Sequence, residues 1–272
     1  MSRWRTNRGK TFVGLGLALG TLVPALALGS TSAQGGTVPS AQLSLPAVVR
    51  SGTWYLRNTQ TTGNADSSFR YGNPLDIPLM GDWNGDGVKT PGVVRGNQWA
   101  LRNSNTEGIG ETVFTYGDVG DFPIVGDWDS DGDDTPGINR GNLYSLRNSN
   151  DSGIGETTFF FGDPTDFPLA GDWDGDGMDT IAVNRDNLYS QRNSNDSGIG
   201  ETTFTYGDPT DFPLAGDWDV DGTDTIGIHR GNLWALRNSN SEGVGDTVFN
   251  YGDPVTDFPV VWATGTLQEF GR

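Results

Sequence analysis

The sequence predicts an all-β protein, a five-bladed β-propeller built from repeats of 45 residues. Three observations predict it: a constant repeat length, four short strand patterns in each repeat, and a composition rich in glycine and aromatic residues. Repeat lengths in this range are typical of solenoids, propellers and arrays. Four short antiparallel strands in about 40–45 residues are typical of one propeller blade.

The repeat is clearest in four kinds of residue that recur every 45 positions between residues 46 and 272. An arginine, an aromatic ring, a phenylalanine and a glycine each recur in five copies. They are Arg50, Arg95, Arg140, Arg185 and Arg230; Trp54, Trp99, Tyr144, Tyr189 and Trp234; Phe69, Phe114, Phe159, Phe204 and Phe249; and Gly72, Gly117, Gly162, Gly207 and Gly252. Five such units fill the chain from residue 46 to its last residue.

One repeat unit contains four strand patterns in order. Residues 169–173 predict a first strand that enters an acidic loop, and residues 181–185 predict a second strand that leaves it. A two-residue connection then predicts a hairpin to a third strand at 188–193. Residues 202–207 predict the fourth strand. The density of glycine and proline argues against helical repeats.

The two ends of the repeat region predict how the ring closes. Residues 47–50 match the second strand of the other units, and residues 258–261 match the first strand. The last blade would therefore combine strands from both ends of the chain, which removes an exposed sheet edge. A blade made in this way has no continuous loop between its first two strands. This explains why there are four acidic loops for five blades, with Ala263 where the fifth loop would begin.

The four acidic loops, 82–90, 127–135, 172–180 and 217–225, are candidate calcium sites. Counted from the first aspartate, positions one, three and five carry carboxylate or amide groups, and position six is glycine. Oxygen ligands at alternate positions suit Ca²⁺, the glycine permits a sharp turn, and position seven offers its backbone carbonyl. These candidate ligands are Asp82, Asn84, Asp86 and Val88; Asp127, Asp129, Asp131 and Asp133; Asp172, Asp174, Asp176 and Met178; and Asp217, Asp219, Asp221 and Thr223.

Three alternatives to a propeller calcium loop fit these residues less well. An EF-hand needs a glutamate at position twelve, and these loops have valine or isoleucine there. Mg²⁺ is less suited than Ca²⁺ to a cage of several carboxylates. The third alternative is a turn rich in aspartate and glycine without any metal. Repulsion among three clustered carboxylates favours a counter-ion over a metal-free turn.

The acidic loop resembles the D-x-D-x-D-G-x-x-D calcium loop of FG-GAP or VCBS-type repeats, which build integrin-like β-propellers. The resemblance covers residues 46–272 and implies that position nine also supplies a side-chain ligand. That position holds Thr90, Thr135, Thr180 and Thr225, whereas Lys89, Asp134, Asp179 and Asp224 occupy position eight. We therefore expect up to four Ca²⁺ ions, bound most weakly in the first loop. Members of this family often have seven blades, so five blades is a departure.

The N-terminal residues predict export of the protein. Residues 1–33 resemble a secretory signal peptide, with basic residues, an apolar stretch and a small-residue end. A retained membrane anchor is the alternative, although glycines and a proline weaken the stretch as a spanning helix. Residues 34–45 are predicted to be a flexible linker, and residues 46–272 the propeller. We expect a secreted mature chain without a membrane span; without cysteine it has no disulfide.

Charge and side-chain type limit the partners. The formal net charge of −18 disfavours nucleic acid and anionic membranes and suits cations. Tryptophans inside the acidic loops are predicted to pack between blades, with sugar binding as the alternative. The repeated arginines are predicted to pair with aspartates in the linkers between blades, with a polar ligand-binding ring as the alternative. Those residues are Trp83, Trp128, Trp173 and Trp218, and Asp76, Asp121, Asp166, Asp211 and Asp257.

The predicted function is binding without catalysis. His229 is the only histidine, cysteine is absent, and nearly every aspartate belongs to a repeated position, so no catalytic residues are assigned. We expect a monomeric, secreted, calcium-binding adhesion module with an extracellular glycan or protein ligand. One alternative is a carbohydrate-active hydrolase or lyase that uses a pair of carboxylates. The other is a spacer made rigid by calcium.

Overall fold

The computed structural model of the protein describes residues 41–265, which form twenty β-strands in five antiparallel sheets. Each sheet has four strands. The strands are β1 (Leu45–Arg50), β2 (Thr53–Leu56), β3 (Ser67–Arg70), β4 (Ile77–Gly81), β5 (Thr90–Arg95), β6 (Gln98–Leu101), β7 (Thr112–Thr115), β8 (Phe122–Gly126), β9 (Thr135–Arg140), β10 (Leu143–Leu146), β11 (Thr157–Phe160), β12 (Phe167–Gly171), β13 (Thr180–Arg185), β14 (Leu188–Gln191), β15 (Thr202–Thr205), β16 (Phe212–Gly216), β17 (Thr225–Arg230), β18 (Leu233–Leu236), β19 (Thr247–Asn250) and β20 (Phe258–Trp262).

The five sheets are the blades of a closed propeller. Blade 1 contains β4–β7, blade 2 β8–β11, blade 3 β12–β15 and blade 4 β16–β19, while blade 5 has the order β20-β1-β2-β3. The first strand of each blade contacts the first strand of the next blade, and β20 contacts β4. The predicted five-bladed propeller is therefore confirmed.

Both chain ends build blade 5, as the sequence predicts. Strand β20 pairs with β1 in antiparallel register, with Ala47 opposite Val260 and Leu45 opposite Trp262. Strand β1 begins at Leu45, the last residue of the predicted linker. The remaining predicted linker residues up to 40, and the predicted signal peptide 1–33, lie outside the described residues.

Among residues 41–265, no helix has the length and apolar character needed to cross a membrane.

The core of each blade is aromatic. Trp54, Trp99 and Trp234 are at most 1 % exposed, and Trp54 stacks on Phe69 with ring centroids 6.2 Å apart. The four tryptophans of the acidic loops are also buried. The indole of Trp83, for example, donates a hydrogen bond to the carbonyl of Thr90 at 3.0 Å. Their predicted packing role is confirmed, since a buried indole is closed to a sugar.

The chain connections place the acidic loops on one face of the propeller, the acidic face. Because strands within a blade are antiparallel, the hairpins between second and third strands lie at the opposite end, here named the hairpin face. There each repeated arginine forms a two-pronged pair with a linker aspartate, such as Arg95 with Asp76 at 2.7 and 2.8 Å. The predicted arginine–aspartate clamps are confirmed in all five blades.

Candidate metal centres

Three of the four acidic loops bring three carboxylates together. Each side chain of the triplets Asp127–Asp129–Asp131, Asp172–Asp174–Asp176 and Asp217–Asp219–Asp221 offers an oxygen within 4.8 Å of the others. These are the predicted ligands at positions one, three and five. In the first loop position three is Asn84, whose amide donates to Asp86 at 3.1 Å. That amide relieves the carboxylate repulsion that the other three loops retain.

The backbone of each loop turns around its own carboxylates. In the second loop, Asp127 accepts hydrogen bonds from the backbone N–H groups of Asp131 and Gly132, at 3.1 and 2.9 Å. Position seven closes the loop, because the N–H of Asp133 donates to Asp131 at 3.0 Å. The same bond is made by Val88, Met178 and Thr223, at 2.9, 2.9 and 2.8 Å.

Position four of each loop adopts left-handed backbone geometry, a requirement not apparent from the residue pattern. It is glycine in two loops, but Ser130 has φ of 59° and Val220 has φ of 66°. A β-branched residue at positive φ is strained, and such strain concentrates at functional sites. Position six has the predicted glycine in every loop, with φ between 84° and 97°.

Burial makes the position-one carboxylates of the first three loops reluctant to ionise. Burial, opposed by hydrogen bonds from Gly132 and Asp131, raises the pKa of Asp127 to about 6. Burial also raises the pKa of Asp82 and Asp172. Within residues 41–265 no lysine or arginine forms an ion pair with positions one, three or five. A divalent cation would supply the positive charge that these carboxylates lack. The oxygen atoms at positions one, three and five therefore fit Ca²⁺.

The threonines at position nine start the second strand of blades 1 to 4 and are 3–5 % exposed. The hydroxyl of Thr135 donates to the carbonyl of Gly126 at 3.3 Å, and that of Thr225 to Arg237 at 2.6 Å. Thr90 bonds to Gly81 in the same way as Thr135 to Gly126. These hydroxyls therefore stabilise the base of the loop, where the resemblance implies a metal ligand.

Position eight joins neighbouring blades. The carboxylate of Asp179 in blade 3 accepts a hydrogen bond from the N–H of Asp127 in blade 2 at 3.0 Å. In return the N–H of Asp179 donates to the carbonyl of Asp127 at 2.7 Å. The same pair of hydrogen bonds joins Asp134 to Asp82 and Asp224 to Asp172. Position one of each of these candidate metal loops is therefore held by the next blade.

The closing blade uses different residues for the same contact. Ser44 occupies the place of a position-eight aspartate: its hydroxyl accepts from the N–H of Asp217 at 3.1 Å, and its own N–H donates to the carbonyl of Asp217 at 2.7 Å. At the last boundary the N–H of Lys89 donates to the carbonyl of Ala263 at 3.1 Å. Ala263 is thus in the place that the sequence predicts for a loop's first residue.

A cavity of about 400 Å³ opens at the centre of the acidic face. Lys89 reaches into it beside Asp134, with 3.8 Å between Nζ and Oδ2, and Asp134 raises the pKa of this lysine. Burial and the carboxylates of Asp134 and Asp224 raise the pKa of Asp179. Burial raises the pKa of Asp224 to about 6, despite Lys89 nearby. The single ammonium group of Lys89 therefore faces three carboxylates, and the cavity keeps a net negative charge.

His229 is buried on the opposite side, against Trp234 with ring centroids 5.1 Å apart. Burial lowers the pKa of His229 to about 4, so the imidazole is neutral at physiological pH. Asparagines of the hairpins between second and third strands support the backbone. Asn97, Asn142 and Asn187 donate to glycine carbonyls at 3.1, 3.2 and 3.1 Å.

Comparison of the chain with protein-family models, with curated proteins and with solved structures gives no match. The resemblance to FG-GAP and VCBS-type repeats therefore stays a prediction that rests on the loop motif.

Proposed function

We propose that the protein is a secreted, noncatalytic binding or adhesion module whose four acidic loops each hold a Ca²⁺ ion. The observation that carries this proposal is the carboxylate triplet, repeated in three loops with oxygens within 4.8 Å of one another. The first loop has two carboxylates and one amide in the same places and is the weakest of the four sites.

Charge supports a metal in these loops. Position one of each triplet is buried or half-buried, positions three and five are exposed, and none has a basic partner among residues 41–265. Burial and neighbouring carboxylates raise the pKa of Asp129 and Asp219. Without a cation, each of these three loops carries a repulsion among its carboxylates that opposes folding. Val220 retains a strained left-handed conformation that a ligand-free turn has no need to preserve.

The ions act as structural stabilisers in this proposal. Extracellular modules typically bind Ca²⁺ with dissociation constants of about 10⁻⁴–10⁻³ M. At about 1 mM ion, each site would then stabilise the fold by roughly 0.4–1.4 kcal/mol. Four independent sites would contribute roughly 2–6 kcal/mol, a large part of the about 5–15 kcal/mol typical of a domain.

The repeated carboxylates of the acidic face are better suited to a binding role than to a catalytic role. The carboxylates of the acidic face recur at equivalent positions in successive blades, whereas general acid–base chemistry needs two groups in different environments. The only histidine is buried and neutral. Equivalent surfaces on several blades suit an extended ligand with repeated groups, such as a glycan, because linked contacts add avidity.

Calorimetric titration of metal-free protein with Ca²⁺ tests the metal sites. We expect up to four ions and a rise in melting temperature that a chelator reverses. A triple variant, Asp129→Asn, Asp174→Asn and Asp219→Asn, gives every loop the first loop's residues at positions one, three and five and should bind each ion more weakly. Asp118→Asn, an exposed aspartate of the hairpin face, is the matched control. An unchanged melting temperature on adding Ca²⁺ or chelator would contradict the proposal.

A glycan array and an agglutination assay, run with and without Ca²⁺, test the adhesion role. A multivalent binder should bind and agglutinate without releasing reducing sugar ends. Release of reducing ends would favour the hydrolase or lyase, and inactivity in all three assays would favour the spacer.

A further inference from the structure

Phe161 lacks the hydroxyl group that forms a hydrogen bond between neighbouring blades at the other four blade boundaries. At four boundaries a tyrosine just after the outermost strand donates its hydroxyl to a backbone carbonyl in the third strand of the next blade. The pairs are Tyr71 with Ala100 (2.8 Å), Tyr116 with Ser145 (2.9 Å), Tyr206 with Ala235 (3.1 Å) and Tyr251 with Tyr55 (2.9 Å). Between blades 2 and 3 the equivalent residues are Phe161 and Ser190, and the phenylalanine has no hydroxyl to donate.

The missing hydroxyl coincides with an open cleft. The cleft between blades 2 and 3 has a volume of about 460 Å³, whereas the equivalent cleft beside Tyr251 has about 300 Å³. At Gly110, Gly155 and Gly245 an added Cβ would meet the tyrosine hydroxyl within 2.8–3.1 Å. At Gly200 the nearest atoms belong to Ser190 and to the backbone of Gln191, so the space of that hydroxyl stays free. A volume of this size is typical of small-ligand sites.

The walls of this cleft combine apolar surface with hydroxyl groups. Leu188 and Ile199 line it and are 40 % and 85 % exposed, above the buried ring of Phe161. The hydroxyls of Ser190 and Thr203 also line it, and neither has a hydrogen-bond partner among residues 41–265. Such a wall offers apolar contact to a ligand's face and hydrogen bonds to its edge.

The rim of the cleft selects against an anionic ligand. Arg185 is paired with Asp163 at 2.5 Å and with Asp166 at 2.7 Å, so two carboxylates neutralise one guanidinium. The exposed carboxylate of Asp163 can still accept hydrogen bonds from hydroxyl groups. A neutral ligand with several hydroxyls and one apolar face fits this combination. A pyranose sugar ring has both properties.

We propose that the cleft between blades 2 and 3 binds a neutral glycosyl residue, one of whose hydroxyls takes the place of the tyrosine hydroxyl at the other boundaries. This assignment rests on the proposed binding function, for which it names a site and a ligand class. The apolar face of the sugar lies on Leu188 and Ile199, and its hydroxyls bond to Ser190, Thr203 and Asp163.

The test uses saturation-transfer NMR with the methyl glycosides of glucose, galactose, mannose, fucose and N-acetylglucosamine as probes, on calcium-saturated protein. We expect the wild type to bind at least one glycoside. Phe161→Tyr restores the hydrogen bond of the other boundaries and should weaken that binding at least tenfold without lowering the melting temperature. Tyr116→Phe makes the opposite change at the boundary between blades 1 and 2. It should open a second cleft there and raise the number of glycoside-binding sites.

The outcomes separate this site from the general proposal. If Phe161→Tyr binds the same glycoside as tightly as the wild type, the cleft assignment fails while the binding function stands. If no glycoside binds the wild type, the glycosyl assignment fails, and the calcium titration and glycan array decide the proposed function by themselves. Ile199→Asn, which copies Asn64 at the equivalent position of blade 5, should reduce the affinity and keep the fold.

Discussion

Asp134 and Asp82 are joined across the boundary between blades 1 and 2 by two hydrogen bonds of 2.7 Å. The N–H of Asp134 donates to the carbonyl of Asp82, and the N–H of Asp82 donates to the carboxylate of Asp134. Asp82 is also position one of the first acidic loop, where it accepts N–H bonds from Asp86 and Gly87. The candidate metal loop and the contact between blades therefore share one residue.

Removing the carboxylate of Asp134 should weaken the boundary. Asp134→Ala leaves the buried N–H of Asp82 without an acceptor, which should lower the free energy of unfolding by about 1–3 kcal/mol. Asp134→Asn keeps an acceptor oxygen and should cost less than about 1 kcal/mol. Urea unfolding followed by tryptophan fluorescence measures both. Equal losses in the two variants would show that charge, and not the hydrogen bond, holds the boundary.

The clamps of the hairpin face provide a second test, because Arg140 pairs with one buried and one exposed aspartate. Asp121 is 5 % exposed and Asp118 is 76 % exposed as side chains, although both lie 2.6 Å from the guanidinium. Asp121→Ala should cost about 1.5–3 kcal/mol, since it removes buried charge-assisted bonds. Asp118→Ala should stay within about 0.5 kcal/mol. Similar effects in urea unfolding would contradict the importance of burial here.

Stability should depend on pH in opposite directions with and without calcium. The folded pKa of Asp127 is raised to about 6, so this group binds more protons in the folded than in the unfolded chain between about pH 4 and 6. Metal-free protein should gain stability as the pH falls through that window. With saturating Ca²⁺ the carboxylates stay ionised, and the stability should fall as protons compete with the ion.

Two other groups set the limits of that measurement. Burial lowers the folded pKa of His229 to about 4. The contribution of His229 to the stability of the fold therefore declines as the pH falls from about 6.5, which opposes the gain from Asp127. His229→Asn, which copies Asn139 and Asn184, removes this contribution and is the background for the experiment. Below about pH 4 the stabilisation by the clamp at Asp121, whose pKa Arg140 lowers, should begin to fall in every sample. A stability of metal-free protein that declines steadily from pH 7 to 4 would contradict the prediction.

Backbone strain in the fourth acidic loop should be removable. Val220→Gly relieves a β-branched residue at φ of 66° and should raise the free energy of unfolding by about 1 kcal/mol. Gly175→Val is the matched reverse change at φ of 76° in the third loop and should lower it by at least as much. Melting temperatures of both variants, with and without Ca²⁺, check this. A destabilised Val220→Gly would show that the valine side chain makes a compensating contact.

Much of the fold could be predicted because it depends on periodic or local patterns. The 45-residue spacing indicated the number of blades, and the matching ends at 47–50 and 258–261 predicted how blade 5 closes. The clamps followed from arginines and aspartates that recur in step. The candidate metal ligands at positions one, three and five were also accessible, because a loop of nine residues has few ways to gather alternate carboxylates.

The contacts that could not be predicted cross blade boundaries. Asp134 and Asp82 are 52 residues apart, a separation that differs from the repeat length. The sequence showed aspartate at position eight in three of the four loops, but nothing in the loop pattern indicated that its carboxylate bonds to a neighbouring blade. Phe161 likewise replaces the tyrosine that the other repeats have at this position. The effect of this replacement on the cleft became apparent only from the position of Ser190 in the next blade.

The amino-acid sequence was therefore sufficient for the architecture, the closure and the grouping of acidic residues, since hydrophobic periodicity and turn chemistry act within one repeat. Which side chains serve two blades at once became visible only in the assembled ring. There Ser44 takes the role of an aspartate opposite Asp217, 173 residues away. The physical reason is that the angle and separation between neighbouring blades are set by packing of the whole ring, so no local pattern can specify which polar groups meet there.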